Sequence, residues 1–181
     1  MRRVLIALSV AAAVAIGLTV TASAKQKPHP KGQRTTLQRE LQAAKAATAR
    51  FHSVRQALRA GYVLPPGPLA ASCVASPAGG MGVHLENPAL MANPSLDIRR
   101  PEILVYEIKS NGRLRLVALE YFEAASQTTT SPTLFGQTFQ GPMAGHHPGM
   151  PEHYDLHVWV WKPNPSGMFA QFNPNVHCPA A

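Results

Sequence analysis

The chain has 181 residues, enough for one domain with its own core, and its 17 Lys or Arg against 9 Asp or Glu give a formal net charge of +8. Two cysteines exclude a disulfide-dense miniature scaffold, and the absence of internal repeats or heptads excludes a solenoid or coiled coil. Residues 25–60 hold nine Lys or Arg and one acid, Glu40. A basic arm of that kind suits contact with an anionic cell surface, while the lack of interleaved aromatic residues speaks against nucleic acid.

Arg2 and Arg3, the apolar run Val4–Val20 and the small-residue site Ala22-Ser23-Ala24 predict an export signal over residues 1–24. Ser9, Gly17 and Thr19 interrupt the run, and no cysteine follows it. The processed chain is therefore expected to be periplasmic or extracellular, without a lipid anchor, and not an integral membrane protein. Residues 25–34, with Pro28, Pro30 and Gly32, read as a disordered basic leader, and residues 35–181 as a single domain.

From Thr36, a candidate N-cap, apolar residues recur at Leu37, Leu41, Ala44, Phe51, Val54 and Leu58, with Thr48 filling the gap and Gly61 stopping the run. This predicts one long helix whose stripe faces a core and leaves Arg39, Arg50 and Arg59 off it. Residues 62–80 contain four prolines and three glycines and read as an extended connector. Cys73 lies in it and Cys178 near the C-terminus; in an oxidising compartment the two are expected to pair. In the chain-entropy picture, closing a loop of about 100 residues is worth about 4–5 kcal/mol.

A brief strand follows over Met81–Glu86, then a short helical turn capped by Asn87 with Pro88 in its first position. Glu102–Phe122 predicts a hairpin with Ser110-Asn111-Gly112 as its loop, pairing Ile108 with Leu114, Glu107 with Arg115, Tyr106 with Leu116 and Leu104 with Ala118. That register puts Glu120 on the face of Leu114, Leu116 and Ala118. Thr133–Gln140 reads as a short strand, and Gly141–Pro151, with three glycines and three prolines, as a loop carrying His146 and His147. His153–Lys162 predicts a central strand: Tyr154, Leu156, Val158 and Val160 form one face, with Trp159 and Trp161 ending the other. The expected class is α+β, a long N-terminal helix packed on an antiparallel β-sheet or partly closed β-barrel, with long Pro/Gly-rich loops.

His153, Asp155 and His157 share a face of that strand, and burying such groups is costly unless each is paired or ligated. Glu120 poses the same problem in a second strand. Imidazole with carboxylate suits zinc, iron, manganese or copper, so Glu120, His157, His84 and His153 are the candidate metal ligands. His153 and His157 stand about 13 Å apart on a regular strand and would not share one ion without a bulge. Asp155 is expected beside the ligands as an acceptor for an imidazole, and His146 and His147 on a lid over the pocket. No catalytic residue is assigned, because no Gly-x-Ser-x-Gly elbow, phosphate-binding loop or His-Glu-x-x-His helix occurs.

The segments Met81–Leu90, Arg100–Glu107, Pro132–Gly136, His153–Trp159 and Asn164–Phe169 resemble a group of exported bacterial proteins without an assigned activity. The resemblance covers most of the processed chain and implies a shared fold only. A cupin comparison departs from that family's pattern, since no His-x-His with a nearby Glu is found. Two functions follow from the residues: an exported protein with a His/Glu pocket for a divalent metal or an unknown small ligand, or a non-enzymatic envelope or interaction module. In the second, a buried His/Glu hydrogen-bond network fixes packing and the basic arm makes the useful contact.

Overall fold

The computed structural model describes residues 31–179; the expected export signal and residues 25–30 of the leader lie outside the described residues. Six antiparallel strands form a curled sheet resembling half a barrel, accompanied by a few helices. Helix α1 (Lys31–Thr48) presents Leu37, Leu41 and Ala44 to the core, and Ala44 and Thr48 are fully buried. The unbroken helix expected through Gly61 does not form. The Thr48 hydroxyl donates back to the Ala44 carbonyl at 2.8 Å, a 3-10 turn follows over Ala49–His52, and extended Ser53 (ψ 106°) leads into α2 (Val54–Arg59). The break turns Ala57 inward and leaves Leu58 exposed, so one residue of the expected stripe faces solvent. Among the described residues no helix is long and apolar enough to cross a membrane.

The connector contains a strand that its prolines concealed, β1 (Cys73–Ser76), paired with β2 (Gly79–Glu86) at one edge of the sheet. Asn87 caps α3 (Pro88–Met91), accepting from the Leu90 N–H at 3.3 Å. The hairpin of β3 (Ile103–Ile108) and β4 (Leu114–Ala124) keeps the expected pairs Ile108–Leu114, Glu107–Arg115 and Tyr106–Leu116. The Arg115 and Lys162 side chains both pair with the Glu107 carboxylate. Beyond Tyr106 the register slips: Val105 opposes Ala118 and Leu104 opposes Leu119, leaving Val117 as the extra residue of a β-bulge. The Val117 carbonyl accepts instead from the Trp161 and Lys162 N–H groups.

That one residue exchanges the faces of β4. Leu116, Leu119 and Tyr121 join Val83, Leu85, Leu104, Tyr106, Leu156 and Val158 on the side covered by the helices. Val117 and Ala118 join Val105, Trp159 and Val176 on the other. Glu120 therefore lies opposite the face expected for it, away from Leu116, because a bulge shifts a period-two pattern by one. Three buried tyrosines tie the layers together: the Tyr62, Tyr106 and Tyr121 hydroxyls donate to the Pro101, Phe51 and Ile98 carbonyls at 2.6–2.7 Å.

A small hairpin of β5 (Thr133–Leu134) and β6 (Gln137–Thr138) replaces the expected single strand. The segment read as loop from Gly141 begins as a strand, β7 (Gln140–Met143), at the sheet's other edge, where Pro142 interrupts no central ladder. β8 (His153–Val158) is central, between β4 and β7. It ends before Trp161, which turns to the helix side with its ring under the Lys45 ammonium. The tail folds back over the Trp159 side: the indole N–H donates to the Ala170 carbonyl, and Gly80 and Asn173 exchange backbone hydrogen bonds at 2.9 and 3.1 Å. A side chain on Gly79 would stand 2.3 Å from the Asn173 carbonyl oxygen, so that approach requires glycine. The disulfide Cys73–Cys178 pins the tail to edge strand β1.

Glu102, just before β3, is 1% exposed and accepts from the Phe122 N–H at 3.2 Å. Burial pushes its carboxyl up to about 8 from an ordinary 4.5. The folded protein keeps this proton where the unfolded chain has released it, so the group costs stability as pH rises from 4.5 toward 8. Across that window the wild type is expected to lose on the order of 3–5 kcal/mol at this residue. Glu102→Gln should remove most of that slope in urea unfolding curves taken at pH 5, 6.5 and 8; an unchanged slope would refute the assignment.

Candidate functional site

Period-two alternation and the pairing of strands place a set of polar residues on the face away from the helices. Glu120 of β4 pairs directly with His157 of β8 and with Ile103 of β3. His84 of β2 pairs with Val105, so its ring reaches across β3 toward Glu120. The His84 Nε2 lies 3.0 Å and the His157 Nε2 3.4 Å from the same Glu120 oxygen, Oε2. Further along β8, Asp155 opposes Phe122 and His153 opposes Ala124. Glu120, His153, Asp155 and His157 are all at most 1% exposed, and the His84 side chain is 11% exposed.

Those distances do not make a hydrogen-bond network. His84 Nε2, both oxygens of Glu120, His153 Nε2, both oxygens of Asp155 and both ring nitrogens of His157 are buried without a protein hydrogen-bond partner of acceptable alignment. Native interiors leave few such atoms, and eight in one place demand an explanation.

Two sets emerge. His84, Glu120 and His157 offer ligand atoms within 4.8 Å of one another, as do His146, His153 and Asp155. His153 and His157 fall in different sets, consistent with their spacing along β8. Asp155 stands 3.9 Å from a ring nitrogen of each, too far for the direct acceptor role expected of it.

The loop after β7 lies over this face. The His146 ring centre is 5.1 Å from that of His153 and 6.5 Å from that of His84. His147 is engaged elsewhere: one ring nitrogen meets the Pro148 carbonyl at 3.0 Å and the other the Glu86 carboxylate at 2.6 Å. The hydrogen bond to Pro148 raises its pKa, with Glu86 adding to it, so His147 is a strap between loop and β2 with no nitrogen left for a ligand. Glu86 was not anticipated from the sequence. Its signal was present, two residues from His84 on the same strand face.

Beside His84 and His146 opens a cleft of about 390 Å³, walled by Val63, Leu64, Pro65 and Val74 of the connector and floored by Glu86 and His147. Val63 and Leu64 are 47% and 43% exposed, so the wall offers apolar contact to a small molecule next to the polar set.

Charge inside the site is contradictory without a further partner. Burial alone would raise Glu120, yet imidazolium charge on His157 and His84 would outweigh it and hold the carboxyl below its ordinary range. The same burial pushes His157 down to about 4. A neutral His157 supplies no positive charge, so the two tendencies exclude each other, and the neutral ring is the firmer because the residue is 1% exposed. Burial, then the Glu120 charge, pushes Asp155 up.

Comparison with models of known protein families, with curated proteins and with solved structures finds no match for this chain. If these groups only fixed packing, neutralising Glu120 would loosen the fold; if they are held for a guest, it should relieve the metal-free protein. Glu120→Gln is expected to stabilise chelator-treated protein at pH 8 by roughly 1–3 kcal/mol in urea unfolding. A loss of that size would favour packing.

Proposed function

We propose that this is an exported protein that binds a divalent transition metal through His84, Glu120 and His157 and presents it to a small ligand entering by the adjoining cleft. The observation that carries the reading is the buried carboxylate flanked by two imidazoles, none with an aligned protein partner. A dication supplies the positive charge that Glu120 lacks beside a neutral His157, and it satisfies orphaned lone pairs. Two imidazoles and one carboxylate suit zinc, iron, manganese or copper, and three protein ligands leave coordination positions open for water or a substrate oxygen. The disulfide accords with an oxidising compartment, and the resemblance to exported bacterial proteins and the apolar N-terminal run support export in the same reading.

The module reading, with a buried His/Glu network as packing, draws less support because the polar atoms of that network are not hydrogen-bonded to one another. A contact of residues 25–60 with an anionic surface would be independent of the site: Arg39, Lys45, Arg50, Arg55 and Arg59 are exposed on the helical segment.

Protein purified without a histidine tag should carry at least one equivalent of metal by elemental analysis. Glu120→Gln and His157→Ala should each lose the metal of this site, and chelator should lower the wild-type melting temperature by several degrees. Metal-free preparations that bind none on titration, with a melting temperature indifferent to chelator, would refute the proposal.

A further inference from the structure

The second cluster does not belong to the first. His146, His153 and Asp155 converge within 4.8 Å beside the proposed metal site, and none of them is needed to complete it. His153 and Asp155 are 0% exposed, and His153 Nε2 and both Asp155 oxygens lack an aligned partner. The other nitrogen of His153, Nδ1, lies 3.0 Å from the Pro151 carbonyl, an arrangement in which Nδ1–H donates and the Nε2 lone pair is left facing Asp155. Metal-bound histidines are commonly held in this way, one nitrogen fixed by a carbonyl so that the other is aimed and basic. The Phe122 ring stacks on His153 at 4.8 Å and fixes its plane.

The third donor comes from the covering loop. Gly145 admits a tight return of that loop, since a side chain there would stand 2.1 Å from the Met150 carbonyl oxygen. The His146 N–H then meets the Met150 sulfur at 3.4 Å, and the His147 strap to Glu86 holds the neighbouring residue down. The ring of His146 is thereby carried to His153.

We infer that His146, His153 and Asp155 form a second divalent-cation site, so that the protein holds two neighbouring metal ions, one enclosed by the sheet and one completed by the loop. This rests on the first site as proposed above and extends it. Asp155 and His157 approach to 3.9 Å across the boundary, which makes the two ions neighbours. A pair of cations set side by side takes a ligand with two anionic or polarisable oxygens, such as a phosphate or carboxylate group. His146 and His147 thus differ in role: the first is a ligand and the second a fastener.

The test is titration of the metal-stripped, untagged processed chain with zinc, followed by calorimetry, and with cobalt, followed by its visible absorption. Wild type should bind two equivalents. His146→Ala, on an exposed loop where folding is not at stake, should bind one, and His153→Gln likewise. Glu120→Gln should retain the equivalent held by the loop site. His147→Ala should still bind two equivalents, the loop-held one more weakly, because that residue fastens the loop and is not a ligand. One equivalent in the wild type, unaffected by His146→Ala and abolished by Glu120→Gln, would overturn the second site and leave the first standing. No binding at all would overturn both. Equal loss of an equivalent in His146→Ala and in His177→Ala, an exposed histidine of the tail, would show adventitious surface binding and overturn the second site.

Discussion

The extra residue in β4 decides what this fold can do. A regular hairpin would carry the alternation of Leu114 and Leu116 through to Glu120 and bury the carboxylate beneath the helices, among Phe51, Ala57 and Tyr106. Val117 interrupts the ladder and turns Glu120 to the opposite face, directly across from His157. One apolar layer then supports the domain while the other face carries chemistry. The bulge satisfies its own freed carbonyl with the Trp161 and Lys162 N–H groups, which also end β8 where Trp161 must turn to the helices.

The polar face is kept dry from two sides. At one end the tail packs Val176 against Val105, Val117 and Trp159, and the disulfide prevents it from peeling away from β1. At the other, the loop after β7 sets Met150 against Ile103, Phe122 and Ala124 and suspends His146 above His84 and His153. Such enclosure strengthens electrostatic attraction and makes every unpaired group costly. A protein that holds eight orphaned polar atoms in this setting gives up stability at that face, offset by the apolar layer beneath α1 and α2. The cleft borders the connector, where Val63, Leu64 and Pro65 line it beside the polar set.

Much of the candidate site was legible residue by residue. The alternation His153, Asp155, His157 put three polar groups on one face of an otherwise apolar strand, and a strand's rise set the two histidines too far apart to share one ion without a bulge. His153 was nonetheless grouped with Glu120, His157 and His84, whereas the structure brings it together with His146 and Asp155. Glu120 stood out as an acid in an apolar run. The face it occupies was not legible, because Leu116-Val117-Ala118-Leu119 is buried on both sides and a continuous apolar run conceals a change of phase. The strand β1 and the start of β7 were hidden in the same way by Pro and Gly, which edge strands tolerate. The helix break at Ala49–Ser53 had only a weak local signal in Thr48, whose hydroxyl competes for the backbone.

Local sequence settled what depends on neighbours a few residues apart: the Asn87 cap, the Gly112 turn with φ 75°, the polar face of β8, and the two cysteines available to pair. Tertiary structure alone decided which of these polar residues meet. His84 and Glu120 are separated by a whole strand and 36 positions, and Glu86 reaches His147 only because the loop after β7 returns across the sheet. Alternation fixes direction within a strand, whereas convergence depends on register, and here register turns on one inserted residue whose side chain carries no polar signal.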